Sequence, residues 1–473
     1  MKEQISRSVF WMVWSRGAVQ VISFVSTILV ARLLSPADYG LMALTAIWIY
    51  TVSLVAELGL ATAILQFRDM DDAELNACFW LSLALGAVGY AGLYAAAPAV
   101  AWWFANPRIV SVLRVAGLSL PMLAARLVPD GLLRKRLELH RVAQTDVISA
   151  LVTIPVVLGL ALSGAGVWAL VAGAVVMPFA QAATTFWFAR WRPGLRLGTR
   201  RFREILRYSV GALGSKVGWV VFQQLDTFVL GKIAGAMGTG FYSMGKTLAH
   251  LAPDKISVAA NQLASPIMAG LQSDTAAMRR SLLRAMRLVG CITAPLCMGL
   301  MLVADDVVWL ALGPKWMPAV PVVRVLAVCA LIRSLDVLFA PVLFARYRTS
   351  FMCAWTAGLL LVMPAVFWAG AVWRDGVGVA LGWVAVYPLF VAWLANEALA
   401  ERRRLDLLDR IIRLLLAAAS GAVVYGGAIY LSGGSLPGEL GEVTSWVVRR
   451  PSARPRVVRP FSAIPLSRGE QTL

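Results

Sequence analysis

Thirteen apolar runs, most of them about 20 residues or longer and parted by short polar connections, leave this chain few folds to adopt. They lie near residues 9–33, 41–66, 75–98, 109–131, 143–163, 166–189, 208–234, 239–262, 286–311, 320–344, 350–372, 377–399 and 411–432. A helix of that length covers a hydrocarbon core of roughly 30 Å, and lipid cannot satisfy an open backbone. The runs therefore predict an all-α polytopic membrane protein. With 59% hydrophobic residues among 473, the composition is too apolar for a soluble enzyme of this size. The first run outlasts a signal-peptide core and shows no small-residue cleavage site, so it is read as the first span.

Basic residues set the orientation. With the N-terminus cytoplasmic, the connections on that side hold 25 Lys and Arg, whereas the opposite side holds 7. The same distribution argues against nucleic acid as a partner, because the formal charge of +19 is spread over short loops. Cys78, Cys291, Cys297, Cys329 and Cys353 lie in or beside apolar runs without ligand spacing and read as small core residues. No Gly-rich phosphate loop, metal-ligand cluster or Ser/His/Asp constellation stands in the sequence, so neither a cofactor, a metal nor a catalytic group is expected.

Charges inside the spans carry the functional signal. Arg16, Arg126, Lys216, Lys246, Lys255 and Arg333 are embedded, against the acids Glu57, Asp226, Asp254 and Asp336. An ionisable side chain at the bilayer centre costs about 2.5 to 3.5 kcal/mol on insertion scales, so such groups face a bundle interior or a wet cavity. A net cationic lumen favours an anionic cargo.

The chain also repeats. Ser15, Arg16, Ser23, Thr27, Arg32 and Gly40 match Ser215, Lys216, Gln223, Thr227, Lys232 and Gly240 at an offset of 200. At about 100° per residue, positions 16, 20, 23 and 27 share one helical stripe, and so do 216, 220, 223 and 227. Arg16 and Lys216 either snorkel to headgroups or face the lumen; the polar groups Gln20, Ser23, Gln223 and Thr227, continuing along the stripes, favour the lumen. Both helices start on the same side, which makes this a parallel repeat.

Other residues read less sharply. Arg32, Ser35, Pro36 and Gly40, and likewise Lys232, Gly235, Gly238 and Gly240, look like tight turns between spans. Asp226 is either a coupling-ion site or a counter-charge to a lumen cation. Lys246, His250 and Asp254 recur every four residues, and His250 is either a group titrating near neutral pH or a paired buried histidine. Glu57 and Asp254 join Asp226 and His250 as coupling or counter-charge candidates. Trp219 and Phe222 are placed for stacking on sugar rings or for lipid-facing packing. Trp102, Trp103, Trp316 and Trp373 read as interfacial belt residues. The segment 191–207 holds six Arg and is read as a basic cytoplasmic linker, with 199–208 as either an interfacial helix bearing Phe202, Ile205 and Leu206 or a plain loop. This organisation gives 1–190, the linker 191–207, 208–400, a further helix within 401–432, and a basic tail at 433–473 that reads as disordered.

Several segments, in order, resemble the polysaccharide transporter family of lipid-linked oligosaccharide flippases, the Wzx-like branch of the multidrug/oligosaccharidyl-lipid/polysaccharide exporter superfamily. They are ARLLSPADYGLMAL (31–44), ILQFRDMDDAELNACFWLSL (64–83), LLRKRLELHRVAQTDVIS (132–149), LDTFVLGKIAGAMGTGFYSMGKTLAHLAPDKI (225–256), SPIMAGLQSD (265–274) with RRSLLRAMRL (279–288), and LGPKWMPAVPVVRVLA (312–327). The resemblance implies two pseudo-symmetric six-helix bundles around a central cationic cavity, with at least one extra C-terminal helix. It also implies alternating access in a bacterial inner membrane and a polyprenyl-pyrophosphate-linked saccharide as cargo, for exopolysaccharide or lipopolysaccharide synthesis. Family members usually carry a span after the thirteenth that has no counterpart here, which leaves the C-terminal architecture open. On this reading Arg16 and Lys216 clamp the pyrophosphate, while Arg126, Lys246, Lys255 and Arg333 line the path. Membrane lipids are partners, and a polysaccharide polymerase with its export machinery is a candidate one. The alternative is a drug or cation antiporter of the same superfamily.

Overall fold

Capping side chains at Ser35, Asp71 and Asp274 set where three of the described helices start. The computed structural model describes residues 23–67, 70–196 and 202–399, with side chains throughout except at 202, 208 and 210–216. Among the described residues the regular structure is helical, and eight helical segments are long and apolar enough to cross a membrane. Helix α1 (Ser23–Leu33) gives way to α2 (Pro36–Glu57), whose N-cap Ser35 and Asp38 form a reciprocal capping box with Pro36 at the first helical position. The second span continues as α3 (Leu60–Gln66).

Then follow α4 (Asp72–Trp103), α5 (Arg108–Ala116) with α6 (Ser119–Lys135) as one kinked span, α7 (Leu139–Leu162) and α8 (Val167–Ala189). The second half opens with α9 (Phe202–Gly270), which breaks at Gly235, where φ of +63° suits a residue without Cβ. It continues with α10 (Thr275–Leu302), α11 (Ala304–Ala311), a 3₁₀ turn at Pro314–Ala319, α12 (Val320–Asp336), α13 (Phe339–Ala345) and α14 (Thr349–Leu399), itself broken at Arg374 and Asp375. Dividing α9 and α14 at their breaks recovers the first twelve predicted runs, the first of them in part. The thirteenth run and the tail lie outside the described residues.

Three expectations need correction. The ninth span begins at Thr275 rather than 286, because Asp274 accepts from Ala277 N at 2.8 Å and starts the helix well before its apolar stretch. The same span ends at Leu302, and 304–311 forms a separate helix led by Asp305 and Asp306. The segment after α8 is pinned to α4: Asn76 Oδ1 accepts from Gly194 N at 2.9 Å, and Trp80 Nε1 donates to Gly194 O at 2.9 Å. Ile205 is buried at 1% exposure, packed with Leu75, Phe79 and Trp191, because the bundle offers it a dry apolar surface that headgroups would not. Phe202's side chain lies outside the described residues. Of the cysteines, Cys78, Cys297 and Cys329 are buried, whereas Cys291 and Cys353 face outward.

Each half has a large core of its own: Leu41, Leu44, Leu93, Ile109 and Leu113 anchor one, and Phe222, Leu230, Trp383 and Tyr387 the other. A smaller cluster around Ala31, Met244 and Trp316 spans both halves.

Candidate functional site

The halves meet at the end of the molecule that carries the α1–α2 turn and the Gly235 break, and there the repeat is visible in contacts. A Cβ built on Gly40 would overlap the Ala236 carbonyl, and one on Gly240 would overlap the Pro36 carbonyl. Position 36 repeats at 236 and position 40 at 240, so the two glycines cross backbone to backbone on the pseudo-two-fold axis. They were expected as turn residues; the turns are made by Ser35 and Gly235, and the glycines sit one helical turn further on, where two helices touch. Nearby, Gly231 leaves room for Leu44, while its repeat mate Ala31 packs in one cluster with Met244, the mate of Leu44.

Cations tie this seam. Arg32 Nε donates to Ala311 O at 2.8 Å and its Nη2 donates to Leu310 O, while the equivalent Lys232 Nζ donates to Trp103 O at 2.6 Å. Each half thus sends the basic residue of its leading helix to carbonyls at a helix end of the other, where the dipole favours positive charge. Lys315 Nζ adds Arg32 O at 2.7 Å and Leu34 O. Phe228 crosses as well, 5.6 Å from Phe104 and stacked at 6.1 Å on Trp103. Trp316, expected in an interfacial belt, is fully buried here and donates to Ala31 O at 2.9 Å. An indole N–H that finds a partner inside can leave the interface. Trp102 and Trp373 are exposed at 80% and 69%.

Away from the seam the second half encloses a saturated polar network. Asp226 is fully buried, and its Oδ2 accepts from Lys246 Nζ at 2.6 Å, Tyr242 OH at 2.7 Å and Trp383 Nε1 at 3.1 Å. Its Oδ1 accepts from Thr227 N at 2.6 Å and Thr227 Oγ1 at 3.0 Å. Lys246 Nζ also donates to Gln223 O at 3.2 Å. Tyr387 OH donates to Asp336, and the Arg333 guanidinium lies 5.4 Å from the centroid of Trp383. His250 Nδ1 stands 3.5 Å from Asp254 Oδ1, while Lys255, on the next residue, is exposed. Phe222, expected against sugar or lipid, is instead wholly buried between Trp383 and Tyr387, and Trp219 stacks on Trp355.

The first half differs. Arg126 Nη1 donates to Gln181 Oε1, and Gln181 Nε2 donates to Asp146 Oδ1 at 3.4 Å. Beside Arg126 opens a cavity of about 190 Å³ walled by Ser53, Glu57, Leu120, Leu123, Arg126 and Asp130 among others. Asp130 Oδ2 is held by Arg134 Nε at 2.7 Å, but Glu57 has no hydrogen-bonding or ionic partner among the described residues. Glu57 ends α2 just where the span breaks: Leu58 and Gly59 are both left-handed, at φ of 48° and 71°. A left-handed leucine costs on the order of 1–2 kcal/mol. At the repeat-equivalent positions Val258 and Ala259 the helix runs on.

Of the residues singled out from sequence, Asp226, Thr227, Gln223 and Lys246 come together, Glu57 and Arg126 share the cavity wall, and Ser23 serves as a carbonyl acceptor for Thr27 Oγ1 at 2.8 Å. Arg16 and Gln20 lie outside the described residues, as does the side chain of Lys216. Sequence reasoning missed Tyr242, Trp383, Tyr387 and Gln181. Trp383 lies 157 residues from Asp226 in sequence, and no local spacing announces such a partner. Tyr242 stands four residues before Lys246 on the same helix, and that i, i+4 spacing was the available signal.

The model of a family described as polysaccharide biosynthesis protein matches residues 29–321. The lipopolysaccharide biosynthesis protein WzxC of Escherichia coli (strain K12) is 25% identical over 385 residues, covering 79% of this chain and 77% of its own length. The teichuronic acid biosynthesis protein TuaB of Bacillus subtilis (strain 168) is 21% identical over 432 residues, or 90% and 89% of the two chains. Among solved structures, the lipid II flippase MurJ in its inward closed conformation superposes with a TM-score of 0.74 at 10% identity, over 92% of this chain and 95% of that one. That likeness shows a shared fold of two pseudo-symmetric six-helix bundles.

Proposed function

Since the chain belongs to the polysaccharide biosynthesis protein family, we propose that it flips a polyprenyl-pyrophosphate-linked oligosaccharide across the bacterial inner membrane by alternating access. The protein is a multi-pass membrane protein, and the N-terminus is assigned to the cytoplasm on the charge asymmetry of its loops. The chain acts as a carrier and not as an enzyme; the exopolysaccharide or lipopolysaccharide polymerase and its export machinery would take up the flipped product.

The observation that carries this reading is the seam. Two bundles that touch through repeat-related glycines on a local axis can rock about that line, and a carrier of two repeats needs such motion around a site between them. Its cation-to-carbonyl bonds would close the external end and leave the cytoplasmic end to admit cargo.

Within the halves, Arg16 and Lys216 would hold the pyrophosphate, the first through its planar fork and the second as a point charge. Arg126, Lys255 and Arg333 would line the path, with Gln20, Ser23 and Gln223 toward sugar hydroxyls. Lys246 and Thr227 take a different part, because their donors are already committed to Asp226. Asp226 then serves as counter-charge. The test is reconstitution in proteoliposomes with a fluorescent polyprenyl-pyrophosphate oligosaccharide. Arg16→Gln with Lys216→Gln should abolish translocation at equal expression; undiminished transport by the double variant would overturn the clamp. An antiporter of cationic drugs would want acidic, apolar-lined cavities, whereas six of the ten embedded charges here are basic. Proton-dependent efflux of cationic dyes would favour that alternative.

A further inference from the structure

The cavity in the first half is not needed to hold a pyrophosphate, and its chemistry points elsewhere. Its wall charges balance: Arg126 is one cation, Glu57 one anion, and Asp130 is already paired with Arg134. A dianionic headgroup would meet the Glu57 carboxylate, and a bare metal cation would meet the guanidinium. A neutral polyol suits both, since a carboxylate accepts from two hydroxyls, a guanidinium donates to others, and the Ser53 oxygen, whose own proton goes to Tyr50 O at 2.8 Å, can accept. Leu120 and Leu123 supply an aliphatic surface for the C–H face of a ring. At about 190 Å³ the space holds roughly six waters at ~30 Å³ each, about the room of one pyranose ring.

Two independent features mark the place as functional. Glu57 is half-buried within a span and unpartnered among the described residues, although intramembrane carboxylates ordinarily pair. The span also breaks immediately after it, at Leu58–Gly59, whereas its repeat mate in the second half does not. Interrupted transmembrane helices are where carriers build their sites.

We propose that this cavity is a subsite for a single neutral pyranose of the cargo, with Glu57 and Arg126 as the recognising groups. The inference rests on the carrier reading above. It is tested on the full chain in lipid nanodiscs by measuring affinity for undecaprenyl pyrophosphate, bare or bearing one glucose, galactose or N-acetylglucosamine. At least one hexose-bearing lipid should bind about tenfold or more tighter than the bare lipid, the effect of a few charge-assisted hydrogen bonds. In Glu57→Gln that ratio should fall toward one because the hexose-bearing lipid binds more weakly. Ala61→Leu, which fills the cavity from another wall, should do the same without touching a charge. Equal binding of all lipids by the wild-type chain, or a preference that survives both substitutions, would overturn the subsite and leave the carrier reading standing. So would a Glu57→Gln variant that keeps its sugar preference and loses sodium- or proton-dependence, since the cavity would then hold a cation. Failure of every lipid to bind would overturn the carrier reading itself and the subsite with it.

Discussion

The two halves are alike where they touch and unlike inside. At the seam, Gly40 and Gly240, Ala31 and Gly231, and Arg32 and Lys232 do equivalent work at equivalent positions. In the interiors, Asp226 has all its lone-pair directions occupied by donors, while Glu57 has none occupied by a described residue. Contact between bundles constrains both partners at once, so the repeat survives there. Groups facing each bundle's own interior answer only to local neighbours and to cargo, so they diverged. A saturated carboxylate is scaffold; an unsaturated one in the same membrane is available for binding.

This contrast can be broken, most severely at the axis. Replacing Gly240 by Val would drive two backbones apart, beyond the 1–3 kcal/mol typical of overpacking. Spin labels at the exposed Trp102 and Trp309 positions should then report a longer distance across the seam and little of the closed state. An unchanged distance distribution would refute the glycine contact.

Next in size is the interior of the second half. Asp226→Asn leaves Lys246 with an uncompensated, largely buried charge, an effect of about 3–5 kcal/mol that should appear as a large drop in thermal stability in detergent. Asp226→Asn combined with Lys246→Met should recover much of the loss, because the unpaired ammonium is then gone. A double variant no better than the single would show that the hydrogen bonds from Tyr242 and Trp383 matter more than the charge pair.

The seam cations come third. Arg32→Gln and Lys232→Gln should each weaken the closed state modestly, with the arginine change larger because it removes two carbonyl contacts against one. Solvent-exposed charge contacts are worth about 0–1 kcal/mol, so a calibrated transport rate rather than melting is the measurement to use. The reverse order would break the assigned equivalence.

Smallest is Glu57→Gln on stability. With no partner to lose among the described residues, it should shift unfolding by within about 0.5 kcal/mol, in contrast to Asp226→Asn. A shift as large as that of Asp226→Asn would erase the distinction between the halves.

Much of this architecture was legible beforehand. Apolar run length read twelve spans, the first in part, to within a few residues at most ends, and the offset of 200 anticipated pairs that meet on the axis. What misled was the assumption that a residue's role follows from its immediate surroundings. Gly40 stands beside a turn and reads as part of it, Trp316 stands at a span end and reads as belt, and Ile205 stands in a basic segment and reads as facing headgroups or as part of a plain loop. Each is decided by an element distant in sequence: Ala236, Ala31 and Phe79 respectively.

The amino-acid order alone determined the solvent and the helix count over most of the chain, because hydropathy acts on each segment independently. It determined the two-fold plan as well, since duplicated positions keep duplicated chemistry. Only the tertiary structure decided which charges are spent and which are free. Pairing of a buried carboxylate depends on donors from helices that meet only after folding, and in a low-dielectric interior that pairing separates scaffold from site.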